Sequence, residues 1–164
     1  NMCATHSINI LTGDQDMLQL IEDHISVTLL KKGYGNYEVH NETTFFEWKG
    51  IKPQQMVDLK GLMGDTADNY PGVKGIGEKT AIKLLQQYGS IDSILENLHA
   101  LTATQRRKIE ESLDMLHMSR ELAAIHCEVP LQFNIDEALL QFDLNKVADM
   151  IQEHEFKGLY SKFL

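Results

Sequence analysis

The chain is poor in cysteine, proline and tryptophan, with two, three and one in 164 residues. Cys3 and Cys127 lie far apart and no Cys-x-x-Cys spacing occurs, which excludes a disulfide framework and predicts two free thiols. The seven histidines form no i, i+4 pair, so the sequence offers no zinc site. There is no apolar run of bilayer length, no signal-peptide pattern, no internal repeat and no low-complexity segment. A soluble, intracellular protein without membrane partners is the expectation. Positive charge is also scarce. Fifteen Lys and Arg face 24 Asp and Glu, a net charge of −9, which argues against indiscriminate binding to nucleic acid.

The charge is unevenly spread. Residues 128–155 carry seven acids (Glu128, Asp136, Glu137, Asp143, Asp149, Glu153, Glu155) against Lys146 alone. Residues 70–90 carry Lys74, Lys79 and Lys83 against Glu78, so a local basic patch survives in an acidic chain. A hydrophobic content of 43% allows a sizeable core, in one domain or one domain with a helical extension.

Ser7–Leu11 and Ile25–Leu30 read as strands, with a helix pattern from Asp16 to Ile21 between them and a return strand over Tyr37–His40. From Glu42 onward the chain reads as helical. Pro53 suits a first helical turn, and Met56, Leu59 and Met63 form an apolar stripe. Ala81, Leu84, Leu85 and Tyr88 form another, stopped by Gly89, after which Ser90 can cap the next helix. One long amphipathic helix is expected from Thr104 to about Ala124, a break at Pro130, and a last stripe at Leu144, Val147, Ala148 and Ile151. Phe45, Phe46 and Trp48 are expected in the core, and Lys31-Lys32 and Arg106-Arg107-Lys108 on solvated faces.

The richest stretch is Gly64-Asp65-Thr66-Ala67-Asp68-Asn69-Tyr70-Pro71-Gly72-Val73-Lys74-Gly75-Ile76-Gly77-Glu78-Lys79-Thr80-Ala81. Asp65 and Asp68 can share a cation, or Asp68-Asn69 can build an Asx turn; spacing does not choose between these. The Gly75-x-Gly77 turn can present amides to a phosphate beside Lys79 and Lys83, or serve only to pack two helices. Upstream, Asp14 and Asp16 can converge on a cation, although spacing alone favours a helix cap and a first-turn acid.

This stretch resembles the helix–three-turn–helix region of 5′ nucleases, most closely the version in bacterial DNA polymerase I, through Val57-Asp58-Leu59-Lys60-Gly61-Leu62-Met63-Gly64-Asp65. Further matches are Leu11-Thr12-Gly13-Asp14-Gln15-Asp16-Met17-Leu18-Gln19-Leu20, the looser Met118–Ala123, and the ending Glu155-Phe156-Lys157-Gly158-Leu159. The resemblance implies an α/β, mostly α fold. Residues 1–48 would be the remnant of a parallel-sheet nuclease core. Residues 49–164 would be a helical, SAM-like DNA-binding region with its helix-hairpin-helix motif at about 64–89. It also implies a structure-specific, metal-dependent 5′–3′ exonuclease and flap endonuclease acting in primer removal and repair, with a polymerase domain following in the full protein. Asp14, Asp16, Asp65 and Asp68 would hold Mg²⁺ or Mn²⁺ in part of a two-metal site. Val73, Lys74, Gly75, Ile76, Gly77, Lys79, Thr80 and Lys83 would contact the duplex backbone near flaps and nicks, with a monovalent cation at the hairpin. Further metal ligands lie upstream of the Gly-Asp-x-Asp element in such nucleases, so this stretch alone is expected to be inactive. A helix-hairpin-helix module that binds DNA without cleaving it, and a 5′ nuclease not fused to a polymerase, are the alternatives.

Overall fold

The computed structural model describes residues 6–132, 134–140, 143–156 and 158–159. Cys3 and Lys157 lie outside them; Cys127 is free and exposed. The chain divides into two compact units, Asn1–Cys127 and Glu128–Leu164. No described helix is long and apolar enough to cross a membrane.

The first unit opens with a three-stranded sheet of order β1-β2-β3. β1 (Ile8–Thr12) pairs in parallel with β2 (Ile25–Leu30), from Ile8 opposite Ile25 to Thr12 opposite Leu29. β3 (Tyr37–His40) returns antiparallel to β2, as the sequence pattern anticipates. The connection from β1 to β2 is a 3-10 helix, Gln15–Leu20, whose Leu18 is fully buried. Gln19 anchors it at both amide atoms: Nε2 donates to Ala123 O (3.0 Å) and Oε1 accepts from Ile125 N (3.0 Å).

Helices follow. Asn41 and Thr44 form a capping box that starts α1 (Glu42–Lys49), and Gly50 stops it in the left-handed region at φ 71°. Pro53 opens a 3-10 turn, Pro53–Gln55, that runs into α2 (Met56–Met63). Gly77 precedes α3 (Glu78–Tyr88), and the Ser90 hydroxyl caps α4 (Ile91–Glu96). A Thr102–Gln105 capping box begins α5 (Ala103–Glu110). The expected single helix is in fact two, because α6 (Leu113–Ala123) starts anew after Glu111-Ser112. Ser112 N bonds Ile109 O at 3.0 Å in 3-10 fashion, while Leu116 N bonds Ser112 O at 2.9 Å to begin the next helix. Buried Ile109, Leu116 and Ala123 keep a seven-residue spacing across the break, so periodicity does not reveal it.

One core joins sheet and helices. It runs from Leu18, Ile21 and Val27 through Phe45, Leu59 and Leu62 to Val73, Ile76, Leu85, Ile109 and Leu116. It spans the 48/49 position at which the sequence suggested a division. α2 packs closely on α6 at Gly61, where a Cβ would meet Ile91 Cδ1 at 3.0 Å and Arg120 Cβ at 3.1 Å. Phe45 is buried as expected, but Phe46 and Trp48 are 54% and 43% exposed. α1 has one buried position, so only Phe45 of the three aromatics reaches the core. Trp48 instead stacks on His40 (4.9 Å between centroids) and lies under Lys49 Nζ (4.3 Å).

The second unit holds a 3-10 helix, Ile135–Ala138, and α7 (Leu144–Glu153), capped by the Asp143 carboxylate. The apolar stripe expected there faces one side of α7, with Ile151 buried.

Candidate metal centre and nucleic-acid interface

The acids lie where two segments end side by side. At the C-terminal end of β1, Asp14 N donates to the Thr12 hydroxyl (3.0 Å), and the Asp14 carboxylate accepts from Asp16 N (2.9 Å). Asp14 thus caps the 3-10 helix and stays exposed, while Asp16 turns inward and is half-buried. At the C-terminal end of α2, Gly64 (φ 74°) turns the chain into a tight loop. Asp65 and Tyr70 exchange two backbone hydrogen bonds (2.9 and 3.1 Å). Gly72 lies against Gly64 so closely that a Cβ on Gly72 would fall 2.2 Å from Gly64 N, and Gly72 N donates to the buried Ser119 hydroxyl (3.0 Å). Asn69, at φ 59°, takes the left-handed conformation of a turn residue.

Asp16, Asp65 and Asp68 come together, each offering an oxygen within 4.8 Å of the others. Asp14 is not in this trio, but with Asp65 and Asp68 it lines a cleft of about 620 Å³, together with Trp48, Lys49 and Glu78. An all-carboxylate donor set suits a hard divalent cation. A cation of the chain is already there: the Lys60 ammonium contacts Asp16 Oδ1 and donates to Asp65 Oδ2 (2.8 Å). The Lys60 hydrogen bond holds the Asp65 carboxyl below the usual carboxylate range, helped by the Ala67 amide (2.8 Å). Tyr70 is 5% exposed and its hydroxyl has no hydrogen-bond partner among the described residues. Burial first, then the charges of Asp65, Asp68 and Asp14, push that hydroxyl up to about 12.

The hairpin begins immediately after this loop. Val73 N bonds Leu62 O (2.8 Å), Ile76 N bonds Val73 O (3.0 Å), and Gly75 takes φ 80° between them. Val73 and Ile76 bury their side chains in the core, so only their backbone could face a ligand. Lys74, Gly75, Gly77, Lys79 and Lys83 are exposed, and Thr80 is half-buried. A Cβ on Gly77 would meet nothing within 4 Å, and no side chain caps the α3 amides that follow. The start of α3 is therefore open to an anion.

Two lysines were missed from sequence. Lys60 stands four residues after Met56 and next to Leu59 in an apolar stripe, and a lysine so placed implies a buried partner. Lys108, expected on a solvated face, donates its ammonium to Gly75 O (2.7 Å), and with Lys74, Arg107, Glu111 and Ser112 it lines a pocket beside the hairpin. No spacing rule links positions 75 and 108.

The chain has relatives among known proteins. The chain is 51% identical over 152 residues to a 5′-3′ exonuclease of Bacillus subtilis, covering 93% of this chain and 51% of that protein. It is 38% identical over 162 residues to DNA polymerase I of Lactococcus lactis, covering 96% of this chain and 18% of the polymerase. The chain thus spans about half of the first relative and under a fifth of the second. Among solved structures, a bacteriophage T5 flap endonuclease in complex with DNA and metal ions superposes with a TM-score of 0.61 at 21% identity, over 70% of this chain and 42% of that one. At that identity the likeness is one of fold. Residues 51–147, which carry Asp65, Asp68 and the whole hairpin, match the family described as 5'-3' exonuclease, C-terminal SAM fold, and the chain belongs to that family.

Proposed function

We propose that the chain supplies part of the metal centre and the duplex-holding element of a structure-specific 5′–3′ exonuclease and flap endonuclease, which hydrolyses DNA phosphodiesters in primer removal and repair in the bacterial cytoplasm. The observation that carries this reading is the meeting of Asp16 with Asp65 and Asp68 across 49 positions of sequence. Residues 1–48 would contribute the Asp14–Asp16 side of a nuclease core, and residues 49–164 the helical remainder.

Asp16, Asp65 and Asp68 would hold Mg²⁺ or Mn²⁺, with Asp14 fixing the Asp16 backbone and facing the same cleft. A divalent ion there would activate water and stabilise the departing oxygen. The chain's own contribution is to keep three hard donors converged: the Asp65–Tyr70 bridge, the Gly64–Gly72 approach and the Ser119 hydroxyl fix the loop from three directions. The hairpin does the holding. The backbone from Val73 to Gly77, the open amides at the start of α3, and Lys79 and Lys83 one turn apart would grip phosphates without reading bases. Lys74 and Thr80 flank that surface, and a monovalent cation at the hairpin carbonyls is a finer part of the same proposal. The higher identity to the Bacillus exonuclease favours a parent nuclease without a fused polymerase over one that carries it.

The test has two arms. Mn²⁺ binding, read by electron paramagnetic resonance, should be present in the protein and lost in Asp65→Asn plus Asp68→Asn. Cleavage of a 5′-flap duplex by the complete enzyme should fall with it. Undiminished Mn²⁺ binding in the double variant would sink the ligand assignment. Intact cleavage with lost Mn²⁺ binding would sink the mechanism.

A further inference from the structure

The acidic centre contains its own cation. Lys60 is 8% exposed, and its ammonium engages two of the three carboxylates that converge there. The trio carries a formal charge of −3, which Lys60 reduces to −2. Three carboxylates within 4.8 Å repel one another, so a positive charge among them stabilises their arrangement. The cleft's other lysine is engaged elsewhere, as is Arg120 beside Gly61. Lys49 pairs with Glu78 (2.5 Å) and covers Trp48, and Arg120 pairs with Asp58 and Asp92 (2.8 Å each). Among the described residues Lys60 alone contributes an ammonium to Asp16 and Asp65.

We propose that Lys60 is a resident counterion of the metal centre, which keeps Asp16 and Asp65 converged and which a divalent cation must displace in order to bind. The inference rests on the metal-centre reading above. Both cations draw on the Asp16 and Asp65 carboxylates, and an ammonium beside a divalent ion is a like-charge contact. The long lysine stem and the adjoining cleft of about 620 Å³ give the released ammonium room to move. The protein therefore trades metal affinity for a centre that stays assembled before metal arrives. Lys60 is a positioning residue in this scheme, not a catalytic one.

The test is Mn²⁺ titration of the wild type, Lys60→Met and Lys60→Arg, with thermal unfolding of each. Lys60→Met removes the charge and keeps most of the stem. It should bind Mn²⁺ on the order of tenfold more tightly. It should also melt lower than wild type without metal, and gain more from Mn²⁺. Lys60→Arg keeps the charge and should keep the weak affinity. A residue that merely packs would leave affinity unchanged or lower it in both variants. Equal Mn²⁺ affinity in wild type and Lys60→Met overturns the inference while the metal-centre reading stands; absence of binding in every variant overturns both. Should Lys60→Met not fold, the wild type still decides. The Lys60 Nζ resonance must shift on saturation with Mg²⁺ while that of Lys108 stays, and an unmoved Lys60 signal at saturation overturns the exchange.

Discussion

The loop from Gly64 to Gly72 and the hairpin from Val73 to Lys83 adjoin in sequence, and they treat their polar groups in opposite ways. In the first, Asp65 and the backbone at both ends of the loop are engaged within the protein. Asp65 takes Lys60 and the Ala67 amide, its backbone pairs with Tyr70, and Gly72 N takes Ser119. In the second, Gly77 faces empty space, the α3 amides have no side-chain cap, and Lys79 and Lys83 are exposed. A metal ligand must be fixed before the ion arrives, because carboxylates that have to be gathered on binding weaken it. A surface that grips any duplex needs only charge and open amides in rough register. The closed loop suits chemistry and the open one suits holding.

The sharpest way to break that contrast is to remove one charge from the closed side. Asp65→Ala or Asp68→Ala in the complete enzyme should lower flap cleavage by roughly a hundredfold or more, since each removes a proposed ligand. Duplex affinity measured in parallel should change little, and a comparable loss of binding would erase the division of labour. Next in size is the backbone of the closed loop. Gly72→Ala puts a Cβ 2.2 Å from Gly64 N at φ 60°, so we expect about 2–4 kcal/mol of lost stability in urea unfolding. Gly77→Ala on the open side should cost well under half of that, and similar losses at both positions would mean that the hairpin is as closed as the loop.

A smaller effect should come from the open side's charges. Lys79→Ala plus Lys83→Ala should weaken duplex binding about equally for all DNA sequences, and flatten the log–log salt dependence by about 0.9 per lost phosphate contact. Gly77→Val should weaken it too, by obstructing the approach of the phosphate; an unchanged affinity and slope in all these variants would leave the hairpin as packing alone. The smallest expected effect is in acid. The folded Asp65 carboxyl lies below its ordinary value of 3.8, so the stability it contributes is present above that pH and is lost as pH falls through the lower folded value. The difference in stability between wild type and Asp65→Asn should therefore stay constant down to about pH 5 and narrow only below about pH 4.

Much of this was legible in the sequence, for physical reasons that differ by feature. The strands, α3 and its Gly89 stop, and the Ser90 cap follow from local periodicity and capping chemistry. The convergence of Asp16 with Asp65 came only from resemblance, because spacing says nothing about residues 49 apart. The break at Glu111-Ser112 escaped because the apolar positions keep their interval across it. Trp48 escaped because hydrophobicity was read as burial, whereas α1 has room for one aromatic in the core. Lys108 escaped because its partner is a carbonyl, which no side-chain pattern announces.

α6 touches both acid-bearing segments. Its Ser119 hydroxyl receives the loop through Gly72 N, and its last turn receives the 3-10 helix through Gln19 and Ala123 O. The acid motif is consequently not portable. A graft of residues 57–83 onto another scaffold would carry the signature and the hairpin, but not the helix that gives Asp16 and Asp65 a common frame of reference. Conversely, under the proposed function, substitutions around Ser119 would surface in a genetic screen as nuclease defects, although Ser119 lies outside both the acid trio and the hairpin.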